Sequence, residues 1–196
     1  MRIGIFWTLF FFLGTTTLAQ REPPVRGTAT ATIDGSKVTI DYGRPSLKGR
    51  SASELLKEIP QDRVWRAGAN QVTTLTAEGD IMIGDQKLPA GKYSLYVHIP
   101  QSGNWSLLVN KDPGMPLSKI FAKAPPQVAN ELWPRMDGYE ENIAKDEVVR
   151  AAMKAGRLDT AVDLFTIDLS PSKDGSTLTM SWGDQFWYVD IKSADR

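Results

Sequence analysis

The sequence predicts an all-β fold, an antiparallel β-sandwich of the jelly-roll type with one short helix inserted near residues 51–59. Three observations carry that expectation. Short segments that alternate apolar and polar residues recur along most of the chain, and β-branched and aromatic residues fill them. Two-residue turns of Gly and Asp punctuate them, at Asp34-Gly35, Gly84-Asp85 and Gly183-Asp184. The chain also has no cysteine, so a hydrophobic core alone must hold it, and 196 residues suffice to bury one.

The amino terminus reads as a leader. Met1-Arg2, an apolar run from Ile3 to Leu13, and small residues up to Thr17-Leu18-Ala19 describe a secretory signal peptide over residues 1–19, cut between Ala19 and Gln20. The run is shorter than the roughly 20 residues of a spanning helix. The expectation is therefore a periplasmic or secreted protein with no stable membrane insertion after cleavage. Residues 20–27, with Pro23-Pro24, read as a flexible lead-in, and residues 28–196 as a single domain. Positive and negative residues balance at 23 each with no basic tail or helix, which argues against nucleic acid as a partner.

Residues 28–33 and 37–42 form the first hairpin, with Val38, Ile40 and Tyr42 on its inner face. Gly43-Arg44-Pro45 ends the second strand, because Pro45 lacks a donor. Ser51-Ala-Ser-Glu54 is a capping box. It opens a two-turn helix with the apolar stripe Leu55, Leu56 and Ile59, and Pro60 stops it. Strands then follow at 72–76, 81–83, 86–88 and 92–99. In the last of these, Tyr93, Leu95 and Val97 face one way, while Ser94, Tyr96 and His98 face the other. Residues 104–109 form a further strand, with Trp105, Leu107 and Val109 together.

Residues 110–139 are irregular and proline-rich, a connection long enough to be a lid or a covering flap. Residues 140–155 have helical composition, yet Val149, Ala151 and Met153 alternate as a strand does. Residues 161–169 alternate clearly. Residues 176–182 and 185–191 read as a closing hairpin about Gly183-Asp184, with Phe186 and Tyr188 on its outer face.

Four pieces, Ile40-Asp-Tyr-Gly-Arg-Pro-Ser-Leu-Lys-Gly-Arg50, Val64-Trp-Arg-Ala-Gly-Ala-Asn70, Leu88-Pro-Ala-Gly-Lys-Tyr-Ser-Leu95 and Asn104-Trp105, resemble a bacterial family known as domain of unknown function 2911. Weaker matches run through Tyr139-Glu-Glu, Lys145-Asp146, Val149-Arg150 and Leu164-Phe-Thr-Ile167. The resemblance implies an exported β-rich domain and favours strand over helix near residues 146–153. It supplies no reaction. The chain departs from the family pattern at 110–139, where the segment is usually shorter.

Polar chemistry outside the strands concentrates between Asp41 and Asn70. Arg44, Lys48, Arg50 and Arg66 are candidates to bind a carboxylate, phosphate or sulfate through bidentate donors, and Tyr42 or Trp65 to supply an apolar wall. The alternative is that these cations pair with Asp41, Glu54, Glu58 or Asp62 and only fix the loop. Asn70 is either a ligand contact or a turn residue. His98 is the sole histidine and cannot build a multi-histidine metal centre, so neither a metal nor a cofactor is expected. No nucleophile elbow or phosphate loop is present. The first functional expectation is a non-catalytic binding module for a polar or anionic ligand, a glycan, a peptide or a small anion of the cell envelope. The others are a hydrolase of envelope material using Asp41 beside Arg44, and a structural or partner-binding domain. The sequence names no catalytic residue and no oligomeric state.

Overall fold

The computed structural model describes residues 25–59, 63–135 and 138–194. The expected signal peptide, the helix stop at Pro60 and the pairing partner Asp62 lie outside the described residues. The first half of the chain runs β1 (Arg26–Ile33), β2 (Ser36–Gly43), α1 (Ala52–Leu55), β3 (Val64–Trp65), β4 (Thr74–Ala77), β5 (Ile81–Ile83), β6 (Gln86–Leu88) and β7 (Gly91–His98). The second half runs β8 (Ser106–Asn110), β9 (Met115–Pro116), α2 (Leu117–Ile120), β10 (Leu132–Trp133), α3 (Tyr139–Asn142), β11 (Glu147–Ala152), β12 (Lys154–Ser172) and β13 (Gly175–Ser193).

Two antiparallel sheets face each other. The first has the order β1-β2-β4-β7-β8-β11, with β3 also on β7; the second has the order β12-β13-β5-β6. Alternation decides which side chains meet between them. Val38, Ile40, Leu75, Leu95, Leu107, Val109 and Val149 come from the first sheet, and Ile81, Ile83, Phe165, Leu178, Met180 and Ile191 from the second. All of them are essentially inaccessible to water. The first hairpin closes as expected: Ile33 pairs with Ser36, and Asp34 and Gly35 adopt φ of 47° and 83°, the left-handed pair a tight turn of this hand requires. Pairing begins at Arg26 opposite Gly43, so Arg26 and Gly27 belong to the sheet rather than to the lead-in.

Three details differ from the sequence reading. The expected two-turn helix is one α turn continued by a 3-10 turn, Leu56–Glu58; its Ser51–Glu54 capping box is present. Residues 139–146 are helical turns and residues 147–152 are strand, so the mixed signal in that stretch marks two successive elements. Gly183-Asp184 is not a hairpin. β13 is one 19-residue strand running through it, and its hairpin partner is β12, with Ser172 opposite Gly175. The inward residues change from even (Leu178, Met180, Trp182) to odd (Trp187, Val189, Ile191), which needs an irregularity between them. Gly183, at φ 63°, lies there, beside register shifts on β12.

The irregular connection folds onto the outer face of the first sheet. Tyr139 and Ile143 cover Val64, Tyr96 and Leu108 in a second, smaller buried cluster. Phe186 and Tyr188 are half-buried against β12. Gly156 lies opposite Phe186, and the Lys154 ammonium sits 5.7 Å from the centre of the Tyr188 ring.

Candidate functional site

Arg44 begins the loop that leaves β2, and its charge is turned inward. Its Nε donates to the carbonyl of Phe165 at 3.1 Å and a terminal nitrogen donates to the Thr166 hydroxyl at 2.9 Å. The next residues zip onto β12 as a short bridge. Phe165 N–H donates to Pro45 O at 2.9 Å, and Leu47 N–H to Asp163 O at 3.0 Å. The Ser46 hydroxyl donates to Asp163 Oδ2 at 2.6 Å. These contacts engage β12 where its own pairing with β13 slips, which leaves its polar groups open to the loop. The loop then turns at Lys48, φ 51°, and enters α1, whose Ala52 lies over Gly183.

The cleft arises from a break in the first sheet. One flank of β7 is paired with β4 up to Ser94 and with β3 from Val97 onward. Between these two partners the chain loops away over residues 66–73. Three non-glycine residues in and beside this detour hold left-handed backbone, Arg63 (φ 60°), Ala67 (φ 48°) and Asn70 (φ 61°). Such conformations cost about 1–2 kcal/mol each and gather where surrounding structure enforces them. Here the enforcement is visible. The Thr73 hydroxyl donates to Ala67 O at 2.9 Å, and Ala69 O lies so close to Gly43 that any side chain there would overlap it. Gly43 and the Gly68-Ala69 turn thus interlock, which ties the Tyr-Gly-Arg-Pro piece to the Trp-Arg-Ala-Gly-Ala-Asn piece.

Alternation across the break sends Trp65 inward and its neighbours outward. Trp65 lies parallel to Trp182 at 5.6 Å between ring centres and meets Phe165 edge-on at 4.8 Å. Beside it opens a cleft of about 390 Å³. Leu55, Leu56, Ile59, Trp65 and Trp182 give it an apolar wall, Arg66 and Tyr96 line its polar side, and Arg135 and Tyr139 reach it from the long connection. Burial pulls the Arg66 guanidinium below its ordinary pKa. Burial also pushes the Tyr96 phenol up, and the charge of Asp112 adds to the effect. The Tyr96 hydroxyl is fully buried and has no well-aligned hydrogen-bond partner among the described residues, while Ser94 beside it partly offsets the rise. Ser94, two residues along the same face, gives its proton to Asp112 O at 2.6 Å.

The wall contributed by the long connection is held by a connected polar network. Asn110 Nδ2 donates to Ile143 O at 2.7 Å and to the Tyr139 hydroxyl at 3.2 Å. Tyr139 in turn donates to Glu147 Oε2 at 2.8 Å, and Arg150 clamps both oxygens of that carboxylate at 2.7 and 2.8 Å. Burial pushes the Tyr139 phenol above its usual range. Arg135 Nε lies 2.9 Å from Asp112 Oδ2, an ion pair out of hydrogen-bond alignment.

A family described as protein of unknown function, DUF2911, matches residues 24–191. The chain belongs to this family. No curated protein and no solved structure matches it at a significant level. The match takes in the cleft, the loop after β2 and the long connection of this DUF2911 domain alike.

Of the residues singled out in the sequence, the DUF2911 fold brings Trp65 and Arg66 into the cleft and distributes the others elsewhere. Tyr42 is a core residue, buried, donating to Ile167 O at 3.1 Å. Arg44 is engaged with β12. Lys48 is exposed on a turn, and Arg50 is at the surface with Glu58 at 3.7 Å. Asn70 occupies a left-handed turn position. Asp41 pairs with Arg26, so Asp41 and Arg44 do not assemble as an acid–cation pair. The cleft residues that sequence reasoning missed are Tyr96, Arg135 and Tyr139. For Tyr96 a signal existed: a tyrosine alternating onto the face away from the core, in a chain with a long segment able to cover it.

Proposed function

We propose that this domain is a non-catalytic binding module whose site is the cleft at the break between β3 and β4, and that its ligand is a small anion with an apolar body. One observation carries the reading. The half-buried Arg66 and the buried Tyr96 border the same cavity as an apolar wall, and such convergence is the usual make-up of a ligand site. The volume suits a compact molecule; an extended glycan chain exceeds it. The strained backbone at Ala67, fixed by two neighbouring segments, supports a preformed site. With the leader expected from the sequence, binding would take place outside the cytoplasm.

The loop arginines fit the structural alternative better, since Arg44 is engaged with β12 and Arg50 lies beside Glu58. The test is a thermal-shift screen of the protein against organic acids, sugars, nucleotides and phosphate esters. A ligand that binds only the folded state raises Tm with its saturation. The expected result is a shift from an anionic compound in wild type that Arg66→Ala removes and Arg50→Ala leaves unchanged. Shifts that survive Arg66→Ala but vanish in Arg50→Ala would move the site to the loop and overturn the reading.

A further inference from the structure

The long connection carries an arm that stands out from the fold. At its base β9 and β10 pair as a separate two-stranded sheet, and there Val72 N–H donates to Leu132 O at 3.0 Å and Gln71 Nε2 to Glu131 Oε2 at 2.8 Å. Further out the arm closes on itself. Ser118 N–H donates to Ala129 O at 3.0 Å, and Phe121 N–H to Leu117 O at 2.7 Å. Residues 118–123 are all exposed. Large hydrophobic side chains that face water are few among the described residues: Val25, Ile120, Phe121 and Leu132, three of which lie on this arm. Phe121 is the most open of them, at 53%. Its surroundings are cationic. From Gly114 to Asn130 the sequence has two lysines, Lys119 and Lys123, and no acid, in a chain whose positive and negative residues balance. Neither lysine takes part in an ion pair among the described residues.

We infer that the tip of this arm, Lys119-Ile120-Phe121 with Lys123, adsorbs to the surface of a membrane that carries anionic lipid. An exposed aromatic beside lysines suits the boundary between headgroups and acyl chains. The Phe121 ring and Ile120 enter that boundary, while the ammonium groups stay among the lipid phosphates at the end of their flexible stems. A second copy of the chain fits the tip less well, because a two-fold contact would set Lys119 and Lys123 against the same charges of the partner. A stable protein interface takes roughly 800 Å² from each side, whereas the tip offers two apolar side chains, neither fully exposed. The contact is peripheral and reversible, since two charges and two apolar side chains are less than a stable anchor takes.

The experiment is co-sedimentation of the protein with vesicles of equal parts phosphatidylcholine and phosphatidylglycerol, or of phosphatidylcholine alone. The protein is processed as expected at Ala19-Gln20, so that the apolar run from Ile3 to Leu13 binds no lipid of its own. Binding to the anionic vesicles at low salt is expected, with little on the neutral ones and loss at about 0.5 M salt, where surface charges are screened. Lys119→Gln combined with Lys123→Gln should weaken the partition by on the order of 30-fold, and Phe121→Ser by about 5-fold. Two controls should leave it unchanged. One is Lys48→Gln with Arg50→Gln, exposed cations on the loop after β2; the other is Val25→Ser, an apolar residue 51% exposed. All of these positions are exposed, so each variant is expected to keep the Tm of wild type, measured alongside. No binding to the anionic vesicles, equal binding to the neutral ones, or an unchanged partition in either arm variant overturns the inference. So does a dimer in sedimentation without lipid that Phe121→Ser disperses, which would give the tip to a second copy.

Discussion

Replacing Tyr96 with Phe removes one oxygen atom that water does not reach, from a residue that lines the cleft. In the folded chain that hydroxyl is buried with no well-aligned partner among the described residues, whereas in the unfolded chain water satisfies it. Such a group costs a fold about 1–3 kcal/mol. Its deletion returns that energy, less the small dispersion loss of a single atom. The ring stays in place, edge-on to Tyr139 with 5.1 Å between centres. For a chain of 196 residues, a gain of about 1–2 kcal/mol corresponds to a rise of roughly 2–8 °C in Tm. Urea and thermal denaturation of the two proteins without ligand measure it. A variant that is both more stable and deficient in binding is the signature of a residue kept for its function. A fall in Tm of 2 °C or more would refute the reasoning, because it would mean that the hydroxyl has a partner in the fold, with Ser94 the nearest hydroxyl on the same face.

Other perturbations read the remaining parts of the account. Arg44→Ala removes two hydrogen bonds from a charged donor to β12, so stability should drop by about 1–3 kcal/mol in urea titration with ligand affinity unchanged. Lys48→Ala and Arg50→Ala, both at exposed positions, should stay within about 0.5 kcal/mol of wild type. Gly43→Ala drives a methyl group into the Ala69 carbonyl, and a loss of about 3 kcal/mol or more is expected from its melting curve. The buried tyrosines set an alkaline limit. Burial raises the phenol pKa values of Tyr96 and Tyr139 in the folded state, so the folded chain keeps those protons after the unfolded chain has released them. Their contribution is complete below about pH 10 and declines above it by about 1.4 kcal/mol per pH unit for each group. Urea unfolding between about pH 10 and 11.5 should show that slope reduced in Tyr96→Phe.

The sheet faces were legible in the sequence because alternation is local. Val38, Ile40 and Tyr42, or Tyr93, Leu95 and Val97, declare their side of a strand within a few residues. The Asp34-Gly35 turn and the Ser51–Glu54 cap were legible for the same reason. Gly183-Asp184 was misread because a bulge and a tight turn ask for the same residue types, and only the partner strand distinguishes them. The role of the cationic loop stayed open in the sequence because Arg44 finds its partners 121 and 122 positions away, beyond any local pattern. The cleft is assembled from the detour after β3, the middle of β7 and the end of the long connection, which are neighbours only once the sheets have formed.

The proposed site is the cleft at the break between β3 and β4 rather than the cationic loop. Titrating the anionic compound that raises Tm most into the ¹⁵N-labelled protein and following the tryptophan indole N–H resonances by NMR tests it most directly. The account expects saturable shifts of Trp65 and Trp182, and little change in Trp105 and Trp187, which stack on each other at 3.7 Å and do not line the cleft. Shifts confined to the backbone amides of Lys48 to Arg50, with both cleft indoles silent, would contradict it.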